Sequence, residues 1–285
     1  MPRFALVIVL VLPAAVLACG ASEDPSPDLP AAAVGTSNPA ARLASARGAT
    51  IAAGTARAAI TATVALAGLP ATSVTGKGVI DFGARRGAST IDLSPILPGP
   101  SSHPPTLDTI VDGGVVYVRS PLLDLLGPLE TPWVRIDGAD GPPAGGAGRR
   151  ELTMVPGSDP LAPLTFLTAV EAGSVEDLGS EEVGGVTTTH LRASVDLREA
   201  AAAAGVEAVG RSLAALGAGR LTVNAHLDHD DRLRRLVYDH PLPPGWGDGS
   251  QRIELEYFDF GGRIDVDLPS EGEVSDLSAV LASDS

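Results

Sequence analysis

The feature that most restricts the fold of this chain is a series of short segments in which apolar and polar residues alternate. The segment from Ile60 to Leu66 begins the series, and similar segments follow at 78–82 and 89–93. Alternation with a period of two is typical of strands that bury one face. The sequence therefore predicts a sheet over most of its length.

Short turns join the later segments into hairpins. Tight turns are predicted at three dipeptides, Gly113-Gly114, Asp230-Asp231 and Gly261-Gly262. Glycine pairs and adjacent aspartates favour such turns, and a tight turn pairs its two strands antiparallel. With a turn at Asp230-Asp231, His226 is expected opposite Arg235. The segment 185–197 is a further strand that places His190 and Arg192 on the face opposite Leu191.

Three helices interrupt the strand pattern. The first is predicted from Asn38-Pro39 to about Arg57, because proline is favoured at the first helical position. A second follows Ser158-Asp159-Pro160, and a third follows Asp196 and Glu199, which resemble a capping box. The apolar stripes of the second and third helices are Leu161, Leu164, Leu167 and Val170, and Val206, Val209, Leu213 and Leu216. Roughly ten strands with these helices predict an α+β protein, one large antiparallel sheet covered by helices.

The N-terminus carries an export signal that ends at the chain's single cysteine, Cys19. Arg3 precedes an apolar run from Phe4 to Val16, whose helical length of about 20 Å is too short for a hydrocarbon core of about 30 Å. Val16-Leu17-Ala18-Cys19 resembles a bacterial lipobox. We therefore expect residues 1–18 to be removed and Cys19 to carry palmitate or similar chains that hold the protein on the outer face of the cell membrane. The alternative is an inert cysteine near a cleavage site.

Composition separates a tether from a body and limits the partners. Residues 19–37 are rich in proline, serine and small residues and form a flexible tether, whereas residues 38–285 form a single domain. The formal net charge of −15 opposes binding to nucleic acid and to anionic headgroups. One cysteine excludes a disulfide scaffold and zinc–cysteine sites, and no cofactor is expected.

Neither catalysis nor a metal site is predicted. Ser212 imitates a nucleophile elbow but lies inside the predicted third helix. His226 and His240 are expected about 16 Å apart along their ladder, too far to share one ion. His229 and Asp231 are expected at a solvated turn.

Four carboxylates are expected on one face of the last predicted hairpin. They are Glu254, Glu256, Asp265 and Asp267, with Glu256 opposite Asp267. Like charges that face each other are unfavourable, and calcium would relieve their repulsion. A solvated sheet face is the favoured interpretation, and the calcium alternative stays open.

Several short motifs in order carry a family resemblance. After the lipobox and the first helix come "GKGVIDFGARRG", "DGGVVYV", "PWVRID", "DPLAPLTFL", "GVTTTHLRASVDL" and "HLDHDDRLRRLVYD". In this order they resemble the actinobacterial lipoproteins of the LppX and LprG type, within the LolA-like superfamily, over most of residues 38–268. The resemblance implies a strongly curved antiparallel half-barrel wrapped over helices, with an apolar cavity that holds lipid or glycolipid. It implies a cavity lining of Leu161, Leu164, Leu167, Leu191, Val195, Leu213 and Leu216.

The sequence thus predicts a membrane-anchored, extracytoplasmic lipoprotein that binds or carries a lipid or glycolipid without catalysis. An envelope transporter is a further expected partner. The same apolar residues would equally fill an ordinary core, and in that case the chain would be a scaffold or interaction lipoprotein of the cell envelope.

Overall fold

One sheet of twelve strands dominates the described part of the chain, which in this computed structural model comprises residues 38–97, 104–126, 129–137, 161–203, 219–242 and 248–277. The strands are β1 (Thr55–Leu66), β2 (Thr72–Asp81), β3 (Arg86–Asp92), β4 (Thr106–Asp112), β5 (Val115–Arg119), β6 (Trp133–Asp137), β7 (Glu176–Val183), β8 (Val186–Asp196), β9 (Arg220–Leu227), β10 (Leu233–Pro241), β11 (Gly249–Phe258) and β12 (Val274–Asp276).

The sheet is open and curved like a half-barrel. Its strand order is β12-β6-β5-β4-β3-β2-β1-β11-β10-β9-β8-β7, so β12 and β7 are the two edges. Neighbouring strands are antiparallel apart from β12, which runs parallel to β6. The predicted α+β class with one large sheet is confirmed, with twelve strands where about ten were expected.

The predicted hairpin at Gly261-Gly262 is wrong. Residues 263–270 form no strand, and β11 pairs instead with β1 on one side and with β10 on the other. Both hydrogen-bonding edges of β11 are therefore occupied, and a third partner has no place. The Gly261 N–H donates to the Thr55 carbonyl at 2.9 Å, which ties this turn to the start of β1.

The first helix begins where the sequence places it but ends at Ala52, because β1 already starts at Thr55, before the predicted end near Arg57. In α1 (Pro39–Ala52) the Asn38 side chain accepts a hydrogen bond from the Ala40 N–H, and the helix ends before Gly54, whose φ of 79° turns the chain into β1. A second helix, α2 (Ala162–Thr165), continues as a 3-10 turn, Phe166–Thr168. The third is α3 (Leu197–Ala203).

Some predicted helix signals lie outside the described residues. These are Ser158-Asp159-Pro160, Ser212, and the stripe Val206, Val209, Leu213 and Leu216. Asp196 caps α3 as predicted, because its carboxylate accepts hydrogen bonds from the N–H groups of Arg198 and Glu199. The other half of the predicted capping box does not form, since the Asp196 N–H donates to the Ala169 carbonyl at 3.0 Å. In the ranges that the structure describes, no helix is long and apolar enough to cross a membrane.

Hydrogen bonds pin α1 to the β9–β10 end of the sheet. The buried Thr50 hydroxyl donates to the Ala46 carbonyl at 2.7 Å and accepts from the Leu233 N–H at 2.9 Å. The Arg42 guanidinium donates to the Asp231 carboxylate at 2.5 Å and to the Thr189 hydroxyl at 2.7 Å. The helix therefore lies over the β8–β10 part of the sheet, and the face that it covers is called the inner face below.

Glycines allow close packing where β1, β2 and β3 adjoin. A Cβ atom placed on Gly76 would lie 2.8 Å from Ile91 Cγ1 and 2.9 Å from Ile60 Cγ2. Non-bonded carbon atoms prefer separations of about 3.5–4.0 Å, so any side chain at this position would force these strands apart. The inner face at Gly76 is consequently filled by its neighbours' side chains.

Candidate functional site

Five of the residues expected to line a cavity lie together between the sheet and the helices. Leu161, Leu164 and Leu167 come from residues 161–168, which comprise α2 and its 3-10 turn and are called the α2 segment below. Leu191 and Val195 come from the inner face of β8. All five are buried in one apolar cluster. Leu213 and Leu216 lie outside the described residues, as does Cys19. We call the space between the sheet and α1, α2 and α3 the interlayer. A lining role for these leucines stays a prediction.

Aromatic contacts link the helices to the sheet within this cluster. Phe166 packs edge-on against Tyr238 of β10, with ring centroids 5.3 Å apart. Phe82 and Tyr257 make a second edge-on contact at 6.1 Å. Such geometry is favourable beyond the area that it buries. Tyr238 is thereby fixed beneath the α2 segment.

Three polar side chains stand next to one another on the inner face at this place. His240 of β10 is paired directly with Gln251 of β11, and Tyr238 is paired with Ile253. Since side chains two residues apart on a strand share a face, Tyr238, His240 and Gln251 all point into the interlayer. The Tyr238 and His240 rings lie 6.4 Å apart in a stacked arrangement. We call these three residues the inner polar group.

Most of the hydrogen-bonding atoms of the inner polar group are buried without a partner. They are Tyr238 Oη, His240 Nε2, Gln251 Nε2 and Gln251 Oε1, none of which has a hydrogen bond within the described part of the chain. Gln251 is fully buried. Its neighbour His240 has a hydrogen bond between Nδ1 and the Pro241 carbonyl at 3.0 Å. A buried donor or acceptor without a partner costs about 1–3 kcal/mol, so a bound group that supplied partners to these atoms would be stabilised.

The buried side chains of Tyr238 and Tyr257 are protonated, neutral phenols. Burial raises the pKa of Tyr238 well above its ordinary value, with a further contribution from Tyr257, and burial likewise raises the pKa of Tyr257. A neutral phenol both donates and accepts one hydrogen bond or more. Together with the amide of Gln251, the inner polar group can serve a ligand that carries hydroxyl or carbonyl groups.

The inner polar group was not predicted, although the sequence contains a signal for it. Gln251 is in phase with Ile253, Leu255 and Tyr257 along β11, and all four are buried. A polar residue in the buried phase of an amphipathic strand has to find a partner or be satisfied by a ligand. His240 is in phase with Leu236 and Tyr238 in the same way.

Other residues that the sequence singled out lie on the surface of the sheet that α1 does not cover, called the outer face below, or in the loop after β9. His226 is opposite Arg235 as predicted, and it projects from the face opposite to that of His240, so these two histidines are far from a common ion. The loop that joins β9 to β10 spans residues 228–232, because the pairing of these two strands begins at Leu227 and Leu233. This loop is longer than the two-residue turn that was predicted. At its tip the His229 side chain is largely exposed.

The prediction of four carboxylates on one face is wrong. Glu254 and Glu256 lie on the outer face of β11 and form ion pairs with Arg235, at 3.1 Å and 2.6 Å. Asp265 and Asp267 belong to the irregular segment 263–270 and are not paired with β11. Glu256 and Asp267, whose repulsion calcium would have relieved, are therefore not opposite each other, and the guanidinium of Arg235 pairs with both Glu254 and Glu256.

Comparison with known proteins gives structural neighbours. No protein-family model and no curated protein matches this sequence. Similar solved structures include LprF from Mycobacterium bovis, at 14% identity and a TM-score of 0.46, covering 81% of this chain and 97% of that one. The lipoprotein LppX from Mycobacterium tuberculosis is similar at 14% identity and a TM-score of 0.44, covering 80% and 98%. A LolA superfamily protein from Nitrosomonas europaea follows at 11% identity and a TM-score of 0.29, covering 80% and 93%.

Proposed function

We propose that this chain is an extracytoplasmic lipoprotein, held on the outer face of the cell membrane by acyl chains on Cys19, whose body carries a lipid in the interlayer without catalysis. The lipid has hydroxyl or carbonyl groups at its polar end, as a glycolipid does. The observation that supports this proposal most strongly is the inner polar group, four buried hydrogen-bonding atoms without partners beside an apolar cluster.

The arrangement of charge and polarity favours a neutral or weakly polar ligand. Among the described residues of the inner polar group, the tyrosine is neutral and the glutamine carries no charge. A sugar or glycerol hydroxyl would satisfy both the Gln251 amide and the Tyr238 hydroxyl. Each hydrogen bond that the ligand makes removes a cost that the empty protein bears.

The neighbouring residues suit the acyl part of such a ligand. Leu164 and Leu167 lie in the segment whose Phe166 packs on Tyr238, so the apolar cluster directly adjoins the inner polar group. Burial of each methylene group contributes about 0.8 kcal/mol. Residues 19–37 would hold this body away from the membrane surface as a flexible tether.

The test replaces Gln251 by leucine, which has similar volume and no hydrogen-bonding atoms. The full chain and its Gln251→Leu variant are purified from membranes, and bound lipid is extracted and identified by mass spectrometry. We expect the variant to retain at least about tenfold less lipid, because the amide no longer contacts the polar end. We also expect the empty variant to unfold at a higher temperature than the empty wild type, since two unpaired polar atoms are removed.

A matched control keeps the two effects separate. Thr61 of β1 lies on the outer face next to Glu254, so Thr61→Val makes a polar-to-apolar change on the other side of the sheet. This control should retain lipid as the wild type does. If neither the wild type nor the control carries or takes up an added acylated glycolipid, the lipid-carrier proposal is wrong and a scaffold role in the cell envelope is favoured.

A further inference from the structure

A second polar cluster lies on the outer face of the sheet, across from the interlayer. Glu181 of β7, His190 of β8 and His226 of β9 meet there, and one ligand atom from each lies within 4.8 Å of the others. His190 is paired directly with His226. Glu181 is paired with Thr188, which lies two residues before His190 on β8 and therefore on the same face of the sheet. Three adjacent strands thus contribute one side chain each.

The ring nitrogens of both histidines converge on one carboxylate oxygen. His190 Nδ1 is 3.3 Å from Glu181 Oε2, and His226 Nδ1 is 3.7 Å from the same oxygen. Ligand atoms about 2.0–2.1 Å from a tetrahedral zinc ion are about 3.3 Å from one another. Both histidine nitrogens therefore lie near the required spacing from the carboxylate oxygen.

His226 Nδ1 is a buried nitrogen that lacks a hydrogen bond. Only 4% of the His226 side chain is exposed, and Nδ1 has no hydrogen-bond partner within the described part of the chain, because 3.7 Å to Glu181 is too long. A buried ring nitrogen that makes no hydrogen bond costs about 1–3 kcal/mol, so a ligand that bound this nitrogen would recover that cost.

The partner of His190 fixes its tautomer. His190 Nε2 is 3.0 Å from Asn224 Oδ1, and since an amide oxygen only accepts, Nε2 must donate. In the neutral ring this leaves Nδ1 without a proton, facing Glu181. A ligating histidine whose other nitrogen donates to an oxygen is the usual arrangement around protein-bound metals.

The charges around the cluster favour a cation. Glu181 Oε1 faces the Arg235 guanidinium at 3.6 Å, and the same guanidinium pairs with Glu254 and Glu256. Three carboxylates against one guanidinium leave an excess of two negative charges among these four side chains. Glu181 Oε2 is turned away from Arg235 toward the two imidazoles.

We propose that Glu181, His190 and His226 bind a divalent transition-metal ion such as zinc. Two imidazole nitrogens and one carboxylate oxygen suit zinc, whereas calcium and magnesium prefer ligand sets made only of oxygen. The two rings are stacked at 4.2 Å with 19° between their planes, so His190, which is partly exposed, must rotate to aim Nδ1 at the ion. A water molecule completes the four ligands. This site lies on the face opposite the inner polar group, and its test is independent of the proposed lipid function.

The experiment titrates the full chain, freed of metal by a chelator, with zinc chloride and follows the heat of binding. We expect one saturable site, which Glu181→Gln and His190→Asn each weaken at least about tenfold. Glu176→Gln is the matched control, because Glu176 lies on the same strand, is exposed and pairs with Arg192. His229→Ala is the second control, since His229 belongs to a separate Asp228, His229 and Asp230 group at the β9–β10 loop.

Nitrogen chemical shifts of the histidine rings supply a second measurement. Zinc should move the Nδ1 resonances of His190 and His226 and leave those of His229 unchanged. The proposal is overturned if zinc binds without saturation, if Glu181→Gln and His190→Asn bind it as the wild type does, or if His229→Ala alone abolishes binding.

Discussion

The carboxylate of Asp228 at the end of β9 should be a major source of stability, and Asp228→Asn tests this. The Asp228 side chain is fully buried, and its Oδ2 accepts hydrogen bonds from Arg232 Nε at 2.9 Å and Arg234 Nε at 2.8 Å. Its Oδ1 accepts from the N–H groups of Asp230 and Arg232, both at 3.0 Å. Asparagine has the same shape but no charge, so it isolates the contribution of the carboxylate.

The expected loss follows from which of these bonds asparagine keeps. Its oxygen can still accept from the two backbone N–H groups, but its NH₂ group would face two guanidinium donors. Two charge-assisted hydrogen bonds are lost, each contributing about 1.5–3 kcal/mol, and one partner of a buried ion pair is removed. We expect the free energy of unfolding to fall by about 3–5 kcal/mol, which lowers the melting temperature by roughly 10 °C.

The assay is urea unfolding of the purified full chain at pH 7, followed by tryptophan fluorescence. Asp230→Asn is the control, because Asp230 is half exposed and its ion pair with Arg232 should contribute at most about 1 kcal/mol. If Asp228→Asn is no less stable than Asp230→Asn, the assignment of Asp228 as a stabilising buried carboxylate is refuted.

The dependence on pH provides an internal check of the same assignment. Burial by itself would raise the pKa of Asp228, but hydrogen bonds from Arg234 and Arg232 outweigh burial, and the pKa lies below its ordinary value. A carboxylate with a depressed pKa stabilises the folded state above its unfolded pKa, about 3.9, and this contribution is lost as pH falls through the folded value. The difference in stability between wild type and Asp228→Asn should therefore stay constant from pH 7 to pH 5 and shrink below pH 4.

Four further predictions concern the anchor, the contact between α1 and β10, the closely packed strands and the exposed glycine of α1. Cys19→Ser should abolish palmitate labelling and release the protein from the membrane fraction, and equal labelling of wild type and variant would contradict the lipobox assignment. Thr50→Val should lower the free energy of unfolding by about 1–3 kcal/mol because the buried Leu233 N–H loses its acceptor, whereas Thr50→Ser should retain most of the stability. Gly76→Val should destabilise by about 1–3 kcal/mol through overlap with Ile91 and Ile60, as measured by thermal unfolding. Gly48→Ala in α1, where nothing lies within 4 Å, should instead stabilise by about 0.5–1 kcal/mol, and a loss there would argue against the helix assignment.

Local patterns predicted those strands that bury one face. The run from Ile60 to Leu66 became the second half of β1, and Gly113-Gly114 joins β4 and β5 with Asp112 opposite Val115 as expected. Each of these strands has one apolar face, so its period of two is visible in the sequence. β7 was missed because Glu176 to Glu182 are all exposed, and a strand at an edge with two solvated faces carries no apolar alternation.

Long-range pairing accounts for the remaining differences. Residues 263–268 alternate as a strand should, but the sequence cannot reveal that β1 and β10 already occupy both sides of β11. The same limit applies to the outer-face cluster. His190 and His226 were placed on their strands correctly, but their contact depends on the β8–β9 register, and Glu181 lies on the strand that the pattern missed.

The acidic edge strand β7 has a consequence for association between sheets. An edge strand offers its free amide and carbonyl groups as a template for another chain, and open sheets are prone to join at such positions. Here the edge carries Glu176, Asp177, Glu181 and Glu182, and its ladder is broken by an irregularity between Asp177 and Gly179. Two copies that met edge to edge would bring like charges together before their backbones could pair. The charge and the irregularity of β7 therefore both oppose the joining of two such sheets.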